Sequence, residues 1–186
     1  MSKIIAVLDA CVLYPAPLRD FLLHLASQKL YQPKWSDKIH EEWTRNLLKN
    51  RPDLNSESLE KTVQLMNAIF ADANVVEIDN YEDLLQKLEL PDIDDRHVLA
   101  TAILSKAKFI ITFNLKDFPS QELEKYEVNA ISPDDFCLLL FETDSELVKK
   151  SFFNQLATLK KPPLSVQKLL DNLERVGLSQ TIKKLL

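Results

Sequence analysis

Apolar positions along this chain switch between two periods. Ile4 to Leu8 is an unbroken aliphatic run that stops at Asp9. Short, branched and continuous, it predicts a strand buried on both faces. Pro15 and Pro17 then mark a turn, and Leu18, Phe21, Leu22 and Leu25 fall at helical spacing, predicting a helix over 18–28. Pro33-Lys34-Trp35 reads as a connection. Ser36 is a fitting N-cap for a helix over 37–50, with Ile39, Trp43 and Leu47 on one face. After a polar loop over 52–58, Leu59, Val63, Met66 and Phe70 predict a helix over 59–70. Val75 to Ile78 reads as a short strand and Tyr81 to Leu88 as a turn or two of helix. Pro91 to Asp95 opens a helix that runs to Ser105 or Lys106. Phe109 to Phe113 and Val128 to Ile131 are two further strands. Ser132-Pro133-Asp134-Asp135 carries a capping hydroxyl, a first-turn proline and two acids at the positive helix end, so a helix starts there.

Strands alternating with helices predict an α/β fold, a three-layer α/β/α arrangement with a central parallel sheet. Strand signals stop beyond residue 142. Helical patterns follow over 145–159, 165–176 and 179–186, punctuated by Lys160-Lys161-Pro162-Pro163 and by Gly177. The expected organisation is a domain over 1–142 and a C-terminal helical appendage over 143–186. About 45 residues is near the lower limit for folding alone.

Composition narrows the chemistry. The 186 residues contain a single glycine. Phosphate-cradling loops of the Walker or dinucleotide-binding kind need several, so these are excluded. Two cysteines, Cys11 and Cys137, cannot build a disulfide framework, and both sit in apolar runs, as buried free thiols of a reducing compartment do. No Cys or His pair has zinc-site spacing. The apolar run before Asp9 is too short for a signal segment or a membrane span, so the expected location is cytoplasmic, away from membranes. The net charge of −5 hides an asymmetry. Residues 149–186 hold eight Lys/Arg against two acids, leaving the first 148 residues at −11. A basic tail on an acidic body suits nucleic acid or an acidic partner, and equally a set of solvated helix faces.

Acids mark the candidate site. Asp9 directly follows one buried strand. Asn114 and Asp117 follow another, in Ile110-Ile111-Thr112-Phe113-Asn114-Leu115-Lys116-Asp117. Ligands of open parallel sheets bind outside the carboxyl ends of the strands, where these residues fall if their strands are neighbours. Asp92, Asp94 and Asp95 open one helix, and Glu41 and Glu42 lie on another. Such a collection suits Mg²⁺ or Mn²⁺, since hard cations take oxygen ligands and clustered carboxylates need a counter-charge. Each acid also has a plain structural reading. Asp9 and Asp117 fit turns, Asp92, Asp94 and Asp95 suit a helix start, and Glu41 and Glu42 suit a solvated surface. His97 reads as a half-buried helix residue, with metal binding the alternative.

The segments VLDACVLYP (7–15), WSDKIHEEWTRNL (35–47), PDIDDRHVLATAI (91–103) and ITFNLKDFP (111–119) resemble those of PIN-domain ribonucleases, in particular the VapC-like toxins of toxin–antitoxin pairs. The resemblance covers about residues 4–140, and PPLSVQKLLDNLERVGL (162–178) looks like the helical tail of one branch. It implies a Mg²⁺- or Mn²⁺-dependent endoribonuclease, an RNA substrate and a cognate antitoxin protein, with homodimerisation left open. By motif position it implies Asp9, Glu42, Asp95 and Asp117 as the catalytic, metal-holding acids. Asp92, Asp94 and Asn114 are then supporting groups, and Arg45, Arg96 and Lys116 meet neighbouring phosphates. Residues departing from the usual pattern are Cys11, where Asn, Thr or Ser is common, and Thr101, where Ala is common; neither removes a carboxylate. The alternative is a non-catalytic PIN-type module that binds RNA or protein. A haloacid-dehalogenase-type phosphatase also sets an Asp after its first strand, but wants a second Asp where Cys11 stands.

Overall fold

The computed structural model describes residues 4–160 and 162–185. Lys161 of the basic tail and Leu186, the expected end of the last helix, lie outside the described residues. Four strands, β1 (Ile5–Leu8), β2 (Gln32–Lys34), β3 (Phe109–Ile111) and β4 (Asn129–Ile131), pair in parallel in the order β2-β1-β3-β4. Ala6, Val7 and Leu8 are all fully buried. Successive strand residues face opposite ways, so both faces of the sheet at β1 are covered, as the unbroken aliphatic run requires.

The helices are α1 (Ala10–Leu13), α2 (Ala16–Ser27), α3 (Asp37–Asn50), α4 (Ser56–Ile69), α5 (Tyr81–Lys87), α6 (Arg96–Ser105), α7 (Ser120–Leu123), α8 (Pro133–Thr143), α9 (Ser145–Thr158), α10 (Val166–Arg175) and α11 (Thr181–Leu185). None of the described helices is long and apolar enough to cross a membrane. Ser36 caps α3 by accepting from the Ile39 N–H, and Ser132 caps α8 by accepting from the Asp135 N–H. α6 packs across β1, β2 and β3. Phe136 of α8 meets Tyr31 and Phe109 edge-on, joining that helix to the sheet core.

Three local expectations change. Pro33-Lys34, read as connection, belongs to β2. A proline is tolerated there because β2 pairs only with β1 and lies at the sheet edge. The strand expected over 75–78 does not form. Only Asn74 makes an isolated bridge, to Trp35, and Val76 and Ile78 are left 76% and 53% exposed. Branched side chains favour an extended backbone, but a strand also needs a neighbour, and β2 stops short of this segment. Pro17 lies within the first turn of α2, where its missing N–H costs nothing, rather than in a preceding turn.

The last helices pack onto the rest of the molecule. α9 lies along α2, where Ser151 donates to the His24 carbonyl and Gln155 to the Pro17 carbonyl. α10 ends at Gly177, with φ +95°. The Leu178 N–H reaches back to the Leu173 carbonyl and the Gly177 N–H to the Glu174 carbonyl, the paired closure that a left-handed residue permits. Asp134, in the first turn of α8, then accepts from the Gln180 N–H, the Thr181 N–H and the Thr181 hydroxyl at 2.9, 2.8 and 2.7 Å. One carboxylate thus holds the start of α11 to the start of α8. Replacing it strands two backbone donors. Asp134→Ala is expected to lower unfolding stability by about 2–3 kcal/mol, read as a shift in the urea midpoint, with amides of residues 178–185 losing hydrogen-exchange protection first.

Candidate active site

Asp9 sits where β1 ends, and its backbone N–H donates to the Ile111 carbonyl at the end of β3. The expected adjacency of the two strands is therefore met. Its side chain is 4% exposed and fully engaged. One carboxylate oxygen accepts from the Ala10 N–H at 2.7 Å; the other accepts from the Thr112 hydroxyl at 2.7 Å and the Cys11 thiol at 3.2 Å. Burial, with Asp9 alongside, pushes the Cys11 thiol up to about 12, so it stays protonated and able to donate. Cys137 is buried as expected, whereas Cys11 is half-buried and lines the cleft.

That cleft, of about 390 Å³, is lined by Asp9, Cys11, Tyr14, Glu42, Asn46, Asn50, Asp95 and Asn114, among others. Four of the sequence-selected residues therefore come together: Asp9 from the end of β1, Glu42 from α3, Asp95 from the turn before α6 and Asn114 from beyond β3. Glu41, the neighbour of Glu42, faces a different groove between α3 and α4. Asp95 stands at the junction of a 3-10 turn (Ile93–Asp95) with α6, where its side chain makes no capping hydrogen bond. Burial first, then the charges of Asp9, Asp92, Asp117 and Glu42, push its carboxyl up to about 7. Asp117 and Asp92 act on it through charge, but neither of these predicted residues lines the cleft. Asp92 also performs the structural task, accepting from the Asp94 N–H at 2.9 Å. Asp94 is exposed and away from the cleft lining. Arg45 and Lys116 are exposed, and Arg96 is half-buried with a guanidinium Nε that meets no partner among the described residues.

Sequence reasoning passed over several contributors. Thr112 holds Asp9 and also accepts from the Asn114 N–H at 3.0 Å, so one hydroxyl positions two cleft residues. Its signal was a polar residue inside the apolar run Ile110–Phe113. His97, expected half-buried, is 1% exposed, and its Nε2 lies 2.9 Å from Glu42 Oε1. It therefore orients an acid of the cleft. Asn46 and Asn50 follow Glu42 at four-residue intervals, so helical spacing from one candidate acid would have found both. Asn50 further donates to the Tyr14 hydroxyl at 3.1 Å.

The donors are oxygens, which suits a hard divalent cation. Among the described residues no three Asp, Glu, His or Cys side chains converge closely enough to grip an ion as placed. Burial raises the Asp95 carboxyl first, and the neighbouring acids add to it. A PIN-domain family model matches residues 5–116, more than half of the chain. The chain belongs to the PIN-domain family. A second model, that of the VapC50 C-terminal domain, matches residues 133–186. A curated relative from Mycobacterium tuberculosis, titled "Putative ribonuclease VapC50", is 37% identical over 93 residues, which is 50% of this chain and 54% of the relative. The chain therefore spans about half the length of the curated relative it matches. No solved structure matches it. The PIN-model match ends one residue before Asp117 and takes in Asp9, Glu42, Asp95 and Asn114.

Asp95 generates a signed expectation for this PIN chain. Its folded carboxyl keeps a proton that the unfolded chain loses near pH 4, so stability in chelator falls as pH rises from about 4 to about 7. Asp95→Asn removes that penalty. At pH 8 in chelator the variant is expected to unfold later than wild type, by about 1–2 kcal/mol once solvent screening is allowed for, and to gain nothing below pH 4. Thermal melts across pH 3–8 check this.

Proposed function

We propose that this PIN chain is a Mg²⁺- or Mn²⁺-dependent endoribonuclease that hydrolyses RNA phosphodiester bonds, and that it is the cytoplasmic toxin of a toxin–antitoxin pair. The reading rests on one observation above the others: Asp9, Glu42 and Asp95, drawn from three separate elements, face a single cleft at the carboxyl end of a parallel sheet. The relative's title and the matched C-terminal model support it.

Asp9, Asp95 and Asp117 are the residues that would hold the principal cation, with Glu42 holding a second cation or orienting the attacking water. A divalent cation bound there lowers the pKa of water and neutralises charge on the scissile phosphate. The remaining work falls to the chain. Ala10 N–H, Thr112 and Cys11 fix the Asp9 carboxylate before substrate arrives. His97 fixes Glu42 from a fully buried position. Asn114, held through Thr112, offers an uncharged polar group at the cleft wall. The exposed Arg45 and Lys116 meet flanking phosphates, and Asp92 and Asp94 support the turn that carries Asp95. Residues 1–142 form the nuclease body in this reading, and 143–186 the helical appendage.

Asp9→Asn is expected to abolish Mn²⁺-dependent thermal stabilisation and Glu42→Gln to weaken it, and both are expected to cut RNA cleavage by roughly a hundredfold or more, since each removes negative charge that would hold the cation or the attacking water. Cleavage and metal shifts that both survive these changes would leave a non-catalytic RNA- or protein-binding module as the better account. His97→Gln, which leaves Glu42 charged but free to turn, is expected to lower kcat with little change in stabilisation by Mn²⁺, measured by the same melts and a gel cleavage assay.

A further inference from the structure

Phe113 is an aromatic residue that the fold leaves in the open beside the carboxylates. It is 42% exposed, and the residues after it, Asn114, Leu115 and Lys116, are exposed as well. Its position is nevertheless well fixed. Its backbone N–H donates to Cys11 Sγ at 3.4 Å, and that thiol donates to Asp9. The ring therefore stands two hydrogen bonds from the innermost acid of the cleft.

The ring is also backed. The chain's single glycine, Gly177, lies against it, and a Cβ at that position would come within 3.0 Å of Phe113 Cε1. With φ +95° as well, position 177 is closed to side chains on two counts. The turn holding Gly177 is pinned on its far side by the Asp134 carboxylate, just beyond β4. The C-terminal turn thus rests on the same rim of the sheet as the acids, touching the residue beyond β3 and tied to the helix beyond β4.

We propose that Phe113, propped by the Gly177 turn, is a stacking platform for an unpaired base of the RNA strand whose phosphate lies at the carboxylate cleft. The proposal rests on the ribonuclease reading and adds to it a residue that contacts a base rather than a phosphate. A strand entering the cleft presents bases as well as phosphates, and an exposed ring stacks any base face without regard to sequence. Leu115, two residues on from Phe113, is 43% exposed and Ile93, two residues before Asp95, is 66% exposed, so an apolar protein surface is the competing occupant. The link of Phe113 through Cys11 to Asp9 favours a base of the strand whose phosphate lies at the cleft.

The test uses the full chain with Mn²⁺ and a short single-stranded RNA, alongside the same RNA carrying one abasic site at successive positions. Phe113→Ala is expected to raise KM roughly tenfold, and Phe113→Trp to restore it. One abasic position next to the cleaved bond should weaken wild type equally, and Phe113→Ala should then add nothing further. Phe113→Leu, which keeps apolar contact with Gly177, guards against a folding defect; with a wild-type Tm it should still show the raised KM. A KM indifferent to Phe113→Leu, or losses from the ring and the base that multiply, would overturn the platform. So would Phe113 variants that cleave RNA normally but fail to bind a protein partner. Wild-type protein that cleaves none of these RNAs would instead sink the ribonuclease reading, and the platform with it.

Discussion

Burying the Asp9 carboxylate at the end of β1 is the constraint around which the rest of the site is arranged. A carboxylate taken out of water must be repaid in hydrogen bonds, and here each of its oxygens has a partner. Those partners come from distinct pieces of chain. The Ala10 N–H and the Cys11 thiol belong to the turn into α1, and the Thr112 hydroxyl belongs to the strand beside β1. Satisfying Asp9 therefore requires β1 and β3 to lie side by side in their observed register, Leu8 opposite Ile111. The same pairing brings Asn114 to the cleft through the second bond of Thr112. Sheet register and site geometry are in this way one problem.

The repulsion around Asp95 is the complementary half of that arrangement. Asp9 is held by donors, whereas burial, and then the acids around it, push the Asp95 carboxyl up to about 7. Two carboxylates of one cleft are thus treated in opposite ways by their surroundings. In the metal-dependent reading, a cation held between them would offset the charge around Asp95. His97 does for Glu42 what Thr112 does for Asp9, from a position without solvent contact. The cleft is consequently rigid on the β1 and α3 sides and electrostatically loaded on the side of the 3-10 turn.

Much of the sheet was legible because β1 and β3 are runs of branched aliphatics, and only a strand covered on both faces has that pattern. β2 was not, since three residues with a proline at an edge carry no periodicity at all. The segment 75–78 failed the other way: Val75, Val76 and Ile78 have strand composition, but no strand neighbour reaches them. Individual acids were equally ambiguous. Asp92 and Asp95 have the same local signal, a carboxylate at a helix start, and Asp92 does act as a cap while Asp95 lines the cleft. What separates them is the distance of each from β1, which is a property of the fold and not of the local sequence. Cys11 shows the converse. The resemblance sets Asn, Thr or Ser at that position, and the Cys11 thiol, itself a donor, donates to Asp9.

The C-terminal segment looked in sequence like a basic appendage, because charge and helix periodicity carry no information about where a tail lands. Gly177 held that information in a form that reads only in three dimensions. In a chain that otherwise avoids glycine, one left-handed residue closes α10 and at the same point removes the Cβ that would collide with Phe113. The preference for glycine therefore has two sources, the φ of +95° at the helix end and the close approach of the Phe113 ring. Since Phe113 is tied through Cys11 to Asp9, the C-terminal turn touches the cleft's own framework through a single side chain, at the carboxyl end of the sheet.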